Sequence, residues 1–338
     1  MKAARIDKPG QVSLCSIGEP KVGDDDVLIK VEMIGLCGSD LATYRGSNPM
    51  VSYPRIPGHE IAGCIEQIGG NVPDELAVGT RVTVSPYTAC GKCSACLAGR
   101  ANCCRYNQTM GVQRDGAATE YIAVPYEKVV KAGGLSTEQI TCIEPLSVGW
   151  HACGRAQVAE SEIVLVFGCG VIGLGAIAAA VSKGAEVIAV DIDINKLKKA
   201  EVLGAKHLVN SAEENLQSCA DEITSGHGPV VVIEAVGLPQ TFTAAVELVS
   251  FAGRVVYIGY AKEKVEYETK LFVSKELDIR GSRNAVKSEF EDVIEMIRGG
   301  RIDIGPFVTQ RYSLEQIGEA LGFWDGNPDD VTKILISL

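Results

Sequence analysis

The sequence predicts an α/β protein of two domains. A β-rich domain comes first, and a domain built on a doubly wound parallel sheet follows it. Three observations predict this. The length, 338 residues, exceeds what one ordinary core serves. Short apolar runs punctuated by Gly, Pro and Asp fill the first 145 residues, among them VLIKVEMIG (27–35) and RVTVSPY (81–87), the texture of strands and turns. From about residue 160, strand-like runs alternate with helix-length segments, which is the βαβ pattern of a parallel sheet.

The second half can be followed element by element. IVLVFG (163–168) reads as a strand and leads into a helical stretch. AEVIAVD (185–191) is the next strand, NKLKKAEVLGA (195–205) the next helix, and HLVN (207–210) a short strand. VVVIEAVG (230–237) and GRVVYIGY (253–260) continue the series, and mixed helix and strand return after about 286. Domain boundaries are expected near 147 and near 286. There is no internal repeat and no low-complexity tract.

Composition excludes several classes of partner. The formal net charge is −11 and no basic stripe is present, which argues against nucleic acid and anionic membrane. MKAARIDKPG at the start lacks the apolar segment of a signal peptide. The most apolar stretch, 163–181, is interrupted by glycines that mark a turn rather than a membrane span. The expected compartment is the cytoplasm. There, twelve cysteines point to metal binding or catalysis rather than disulfides, although an isolated cysteine is often only a small buried hydrophobe.

Five of the cysteines fall in CGKCSACLAGRANCC (90–104). Cys90, Cys93, Cys96 and Cys104 have the spacing C-x2-C-x2-C-x7-C. Four thiolates on short loops make a closed tetrahedral site suited to structural zinc. An iron–sulfur cluster of the bacterial type ends C-x3-C-P, which this segment lacks. Gly91, Lys92, Ser94, Arg100 and Asn102 make the loop too polar for a packed core. Either Cys103 or Cys104 can supply the fourth thiolate.

A catalytic metal needs three protein ligands and an open position. CGSD (37–40), GHE (58–60) and IEP (143–145) offer Cys37, His59, Glu60 and Glu144. Taken singly each has an ordinary alternative: a core cysteine, a turn histidine, a surface glutamate. In the second half, Gly168, Cys169, Gly170, Val171, Ile172 and Gly173 form G-x-G-x-x-G after an apolar strand and at the start of a helix. Such glycines allow a tight turn, close approach to a pyrophosphate, and helix–strand packing, with the pyrophosphate on the helix N-terminus. Asp191, at the end of the next strand, is placed to bind the adenosine ribose hydroxyls. Its charge would repel a 2′-phosphate, so NAD is expected rather than NADP.

GHEIAGCIEQIGG (58–70) fits G-H-E-x2-G-x5-G, the pattern of the zinc-containing medium-chain alcohol dehydrogenases. CGSD upstream and the four-cysteine loop downstream sit where that family has them, and the chain resembles it from end to end. The resemblance implies a GroES-like catalytic domain of 1–146 with 287–338, a Rossmann NAD-binding domain of 147–286, and two zinc ions per subunit, one catalytic and one structural. It implies that Cys37, His59 and a carboxylate hold the catalytic zinc. Glu60 and Glu144 stand as equal candidates for that carboxylate, and EPLSV (144–148) matches the polyol and threonine dehydrogenase branch. Zinc is a Lewis acid that lowers the pKa of a bound hydroxyl, so the implied reaction is hydride transfer from an alcohol to NAD. Ser39 is placed to start the proton relay. Asp40 is expected to hydrogen-bond the ligand imidazole, and Lys196 resembles a second ribose contact. Where many relatives have a relay histidine this chain has Ala42, which leaves the proton route to Tyr44 or water.

TYRGSNP (43–49), YPRIPGHE (53–60), CLAGRANCC (96–104) and GSRNA (281–285) resemble sugar-acid dehydrogenases of the L-galactonate 5-dehydrogenase type. An aldonate carries a carboxylate and hydroxyls, and Arg283 with Asn284 offers a bidentate guanidinium and an amide for them. Gln113, Arg114 and Tyr44 are further substrate candidates. Alternatives are a polyol dehydrogenase of the sorbitol or galactitol kind, an L-threonine dehydrogenase, a hydrolase using zinc-bound water, and a non-catalytic protein that only binds NAD and zinc. The resemblance also implies a homodimer or homotetramer, with GRVVYIGY as the strand expected to pair across a two-fold axis.

Overall fold

The computed structural model describes residues 1–338. Seven strands come first: β1 (Lys2–Lys8), β2 (Gln11–Ser16), β3 (Asp26–Leu36), β4 (Glu60–Ile68), β5 (Arg81–Val84), β6 (Tyr121–Pro125) and β7 (Val129–Lys131). Six follow in the middle: β8 (Ile163–Phe167), β9 (Glu186–Asp191), β10 (His207–Asn210), β11 (Val231–Glu234), β12 (Arg254–Tyr257) and β13 (Asp278–Gly281). The chain ends with β14 (Val308–Ser313) and β15 (Lys333–Ser337).

It divides into two compact units. The first holds Met1–Glu144, Val286–Arg298 and Phe307–Leu338, and the second holds Pro145–Ala285 and Gly299–Pro306. The sequence put everything after 286 in the first domain, but the short segment 299–306 sits with the second unit. Gly299, Gly300 and Pro306 bound that segment, and no hydrophobic periodicity marks so short an excursion.

In the first unit a sheet runs β14-β15-β3-β4-β5-β7, with β6 paired to β3, and β1 and β2 form a separate hairpin. β3 is its longest strand, at 11 residues. Val27, Ile29, Val31 and Ile34 on it are buried and join Ile61, Ile65, Val82, Val84 and Ile336 in one core. Sheets of this kind bury one face and wet the other, and the near-alternation along β3 follows from that. The registers matter for the site. Gly35 lies opposite Glu60 across β3 and β4, and Leu36 lies opposite Ile334 across β3 and β15.

The second unit is a six-stranded parallel sheet in the order β10-β9-β8-β11-β12-β13. β8 and β11 are nearly all apolar and buried, as central parallel strands covered on both faces must be. The strand order reverses between β8 and β11, and ligands of such sheets bind beyond the carboxyl ends at that switch point. GRVVYIGY forms β12, whose two sides are taken by β11 and β13, so it has no free edge for a second subunit. The outer strand on that side is β13. The apolar stretch 163–181 is β8, a turn and the helix Val171–Ser182. No helix is long and apolar enough to cross a membrane.

Candidate active site

The last residue of β3 delivers Cys37 to the start of the helix Gly38–Tyr44, and His59 immediately precedes β4. One ligand atom each from Cys37, His59 and Glu60 lie within 4.8 Å of one another. His59 is 5% exposed and Glu60 fully buried. Gly58 stands at φ 95°, and a Cβ there would press on Ile34 Cδ1 at 2.8 Å, so the turn that aims His59 inward needs glycine.

Asp40 is fully buried. Its Oδ2 accepts from the Cys37 amide at 2.9 Å and its Oδ1 from the Gly58 amide at 3.1 Å. It therefore ties the two ligand-bearing segments together by their backbones. The expectation that Asp40 bonds the His59 imidazole is corrected here: His59 Nδ1 is buried without a hydrogen-bond partner. Both Asp40 oxygens are engaged by backbone amides, and burial raises its pKa. For His59 burial works the other way, yet Cys37, Asp40 and Glu144 hold its pKa well above the ordinary value. A pocket so rich in acidic groups suits a bound cation, and sulfur, nitrogen and carboxylate oxygen form a donor set that zinc accepts. Ser39 Oγ is likewise buried with no partner, in keeping with a hydroxyl that waits for a ligand.

Glu144 lies in the first turn of the helix Ile143–Ala156 and is 4% exposed. Its Oε1 accepts from the Tyr87 hydroxyl, and burial raises its pKa against the opposing influence of His59. Glu60 is paired with Lys333, whose Nζ lies 2.6 Å from both carboxylate oxygens. Tyr87 and Lys333 both escaped the sequence reading. Each is an isolated residue far along the chain from its partner, and no local spacing announces it.

The four-cysteine loop folds around a short helix, Ser94–Leu97, and a turn at Ala101–Cys103. The sulfurs of Cys90, Cys93, Cys96 and Cys104 lie within 4.8 Å of one another, which selects Cys104 over Cys103. Cys104 Sγ accepts from the Cys90 and Tyr106 amides, each at 3.3 Å, whereas Cys103 Sγ receives only Arg100 Nη2 at 3.6 Å. Backbone amides lower the Cys93 pKa to about 6, while burial raises that of Cys96 to about 11. Four sulfurs at this spacing fit a closed zinc site.

In the second unit Gly168 follows β8 at φ 88°. Gly170 caps the helix that begins with Val171 and Ile172, and a Cβ on Gly173 would run into the Gly168 carbonyl. Asp191 closes β9. Its Oδ2 accepts from the Cys169 amide at 2.7 Å and its Oδ1 from the Asp193 amide at 3.0 Å, which fixes the carboxylate beside the glycine loop with lone pairs to spare. Lys196 is on the helix Ile194–Val202. Ile192, Val236 and Leu238, at the carboxyl ends of β9 and β11, are exposed apolar side chains, suited to the face of a flat heterocycle.

Two family models match: Alcohol dehydrogenase GroES-like domain over residues 23–134 and Zinc-binding dehydrogenase over 171–299. An uncharacterized zinc-type alcohol dehydrogenase-like protein of Haemophilus influenzae is 38% identical, over 99% of this chain and 98% of its own. L-galactonate-5-dehydrogenase of Escherichia coli K12 is 35% identical, over 89% of this chain and 88% of its own. This chain belongs to the zinc-type alcohol dehydrogenases. A crystal structure of the alcohol dehydrogenase RspB from Escherichia coli CFT073, complexed with NADH, superposes with a TM-score of 0.93 at 32% identity, covering 100% of this chain and 99% of the other. The chain is thus an oxidoreductase of the medium-chain fold, with zinc and a nicotinamide dinucleotide as its family's cofactors.

The sequence offers Tyr44, Gln113, Arg114, Arg283 and Asn284 as substrate candidates. Tyr44 ends its helix and packs against the first unit's core. Gln113 is held by its own loop, Oε1 accepting from the Thr109 amide at 2.8 Å and Nε2 lying 3.3 Å from Met50 sulfur. Arg114 donates to the carbonyls of Gln108 and Pro86, each at 3.2 Å, so its fork braces that same loop. Arg283 is exposed just past β13, and Asn284 stands at φ 56°.

Proposed function

We propose that this zinc-type alcohol dehydrogenase oxidises a secondary alcohol of a sugar acid, an aldonate such as L-galactonate or L-gulonate, to the keto acid with NAD. The convergence of Cys37, His59 and Glu60 beside the unpartnered Ser39 hydroxyl carries the reaction type. Zinc held by Cys37, His59 and one carboxylate, Glu60 or Glu144, would supply Lewis acidity to the alcohol oxygen. Ser39 accepts the alcohol's proton and passes one onward. Cys90, Cys93, Cys96 and Cys104 hold the structural zinc. Gly168, Gly170, Val171, Ile172 and Gly173 cradle the pyrophosphate, Asp191 accepts from the ribose hydroxyls, and Lys196 assists it. The Asp191 charge favours NAD over NADP.

The sugar-acid reading is supported by the 35% identity to L-galactonate-5-dehydrogenase and by the exposed Arg283, whose guanidinium suits a carboxylate. Asn284, Gln113 and Tyr44 complete the set of substrate candidates. The first unit acts as the catalytic domain and the second as the nucleotide domain. The chain works in the cytoplasm, where its twelve free cysteines stay reduced, as a homodimer or homotetramer whose candidate pairing edge is β13.

The test is NADH formation by the zinc-loaded protein with a panel of aldonates, hexitols and L-threonine. Turnover on an aldonate but not on the matching polyol supports a pocket that reads a carboxylate. Turnover on polyols or threonine alone removes the sugar-acid reading and leaves the zinc and hydride chemistry in place. Cys37→Ser should abolish turnover with the fold intact; activity in that variant would overturn the metal assignment.

A further inference from the structure

Glu234 ends β11, at the switch point of the parallel sheet, and is fully buried. Its Oε1 takes three donors: the Val236 amide at 2.9 Å, the Gly237 amide at 2.8 Å and the Thr241 hydroxyl at 2.7 Å. Its backbone carbonyl accepts from the Ile258 amide at 2.9 Å and the Gly259 amide at 3.2 Å. One residue therefore holds the turn after β11, the first turn of the helix Pro239–Leu248 and the turn after β12. The second carboxylate oxygen, Oε2, is buried without a partner. A Cβ on Gly259 would stand 2.5 Å from that oxygen and 2.5 Å from the Gly237 nitrogen, so the two turns meet only because glycine lets the backbones approach.

The turn after β11 is the second wall of the glycine loop. Val236 Cγ2 lies 2.8 Å from where a Cβ on Gly168 would stand, and Ala235 Cβ lies 3.8 Å from where one on Gly173 would stand. Asp191 braces the loop from the β9 side through the Cys169 amide. Val236 covers it from the β11 side and is itself exposed. A turn can satisfy its amides with an Asn, Asp or Ser of its own. Here the acceptor stands on the strand instead, so it fixes where the turn sits on the sheet as well as its shape. A buried oxygen left unpaired opposes stability, and its retention asks for a use beyond the fold.

Resting on the nucleotide reading of the glycine loop, we propose that Glu234 is a positioning residue for the dinucleotide. It registers the β11 turn on the end of the sheet, so that Val236 already stands against Gly168 when the cofactor arrives. A wall ordered in advance is one that binding does not have to order.

The experiment titrates full-length protein with NADH, followed by the fluorescence of the bound nucleotide, and reads amide hydrogen exchange over 235–238 alongside. Glu234→Ala is expected to weaken NADH roughly tenfold and to raise KM for NAD more than it lowers kcat. Exchange at the Val236 and Gly237 amides should quicken in the same variant. Glu234→Gln should recover most of the affinity, because its amide oxygen can take the same three donors. Val236→Ala alone should weaken NADH, and in the Glu234→Ala background it should add little, since both act through one wall. Should Glu234→Ala fail to fold, Thr241→Val removes one donor of the three, and NADH binding roughly two- to threefold weaker is expected there. Wild-type NADH affinity in Glu234→Ala, or in Thr241→Val where that variant stands in, with only thermal stability lowered, would reduce Glu234 to a structural residue and overturn the proposal. So would full additivity of the Glu234 and Val236 losses. A wild type that binds no NADH would sink the nucleotide reading itself, an outcome distinct from the other two.

Discussion

Asp191 accepts a hydrogen bond from the Cys169 amide at 2.7 Å, so the carboxylate at the end of β9 and the glycine loop after β8 are one hydrogen-bonded unit. Its other oxygen is held by the Asp193 amide. Asp191→Ala removes both anchors and the negative charge together. The efficiency kcat/KM with NAD should fall by roughly 10–100-fold, the worth of one or two charge-assisted hydrogen bonds. Efficiency with NADP should hold or rise, because nothing then repels the 2′-phosphate. Steady-state kinetics with both cofactors decide it, and an unchanged NAD to NADP ratio would remove Asp191 from cofactor selection.

Gly173 gives a sharper test of the same region. A Cβ there meets the Gly168 carbonyl, and backbone cannot yield as a side chain can. Gly173→Ala should abolish the thermal shift that NAD produces and cost about 1–3 kcal/mol of stability. Metal content, which depends on the first unit's residues, should stay the same. Calorimetry with and without NAD, together with metal analysis, separates loss of binding from loss of fold.

The legibility of this protein divides along physical lines. The doubly wound sheet was readable because IVLVF, EVIAVD and VVIE are apolar runs whose burial on both faces leaves no other use for them. The four-cysteine loop was readable because its ligands are neighbours in sequence. The Cys37–His59–Glu60 cluster was readable as a list of donors, since a family pattern names them, but the interactions around it were not. Lys333 lies 273 residues from Glu60 and Tyr87 lies 57 from Glu144, and strand register alone brings the first pair together. Asp40 was assigned the wrong partner for a related reason. A carboxylate three residues after a ligand cysteine reaches backbone amides as readily as an imidazole, and sequence does not distinguish the two. GRVVYIGY looked like an outer strand because its apolar run is strong, yet strength of that kind marks an interior strand, and β13 with its exposed Asp278 and Ile279 is the outer one.

Tyr87 is buried, and burial followed by the Glu144 charge raises its pKa well above the ordinary value, so it remains a hydroxyl donor at any working pH. Tyr87→Phe keeps the ring and deletes the donor. A buried carboxylate then loses the hydroxyl that solvates it, which costs about 1–3 kcal/mol. The melting temperature should drop by several degrees, and Tyr87→Phe with Glu144→Gln should recover part of that drop, because the amide carries no charge. Equal melting temperatures for wild type and Tyr87→Phe would mean that Glu144 finds another donor.

The four-cysteine loop makes a prediction that turns on adjacent residues. Cys104 is fully buried among three sulfurs and two amides, while Cys103 sits outside with an arginine. Cys104→Ser should lower zinc content from about two ions per subunit to about one, by opening a site that needs all four thiolates. It should also lower the melting temperature, because binding energy at such a site is folding energy. Cys103→Ser should leave both quantities at wild-type values. Metal analysis and thermal melts on the two variants discriminate cleanly, since they differ by one position and by nothing in chemistry. Loss of zinc in Cys103→Ser with retention in Cys104→Ser would show that the loop closes in the other register.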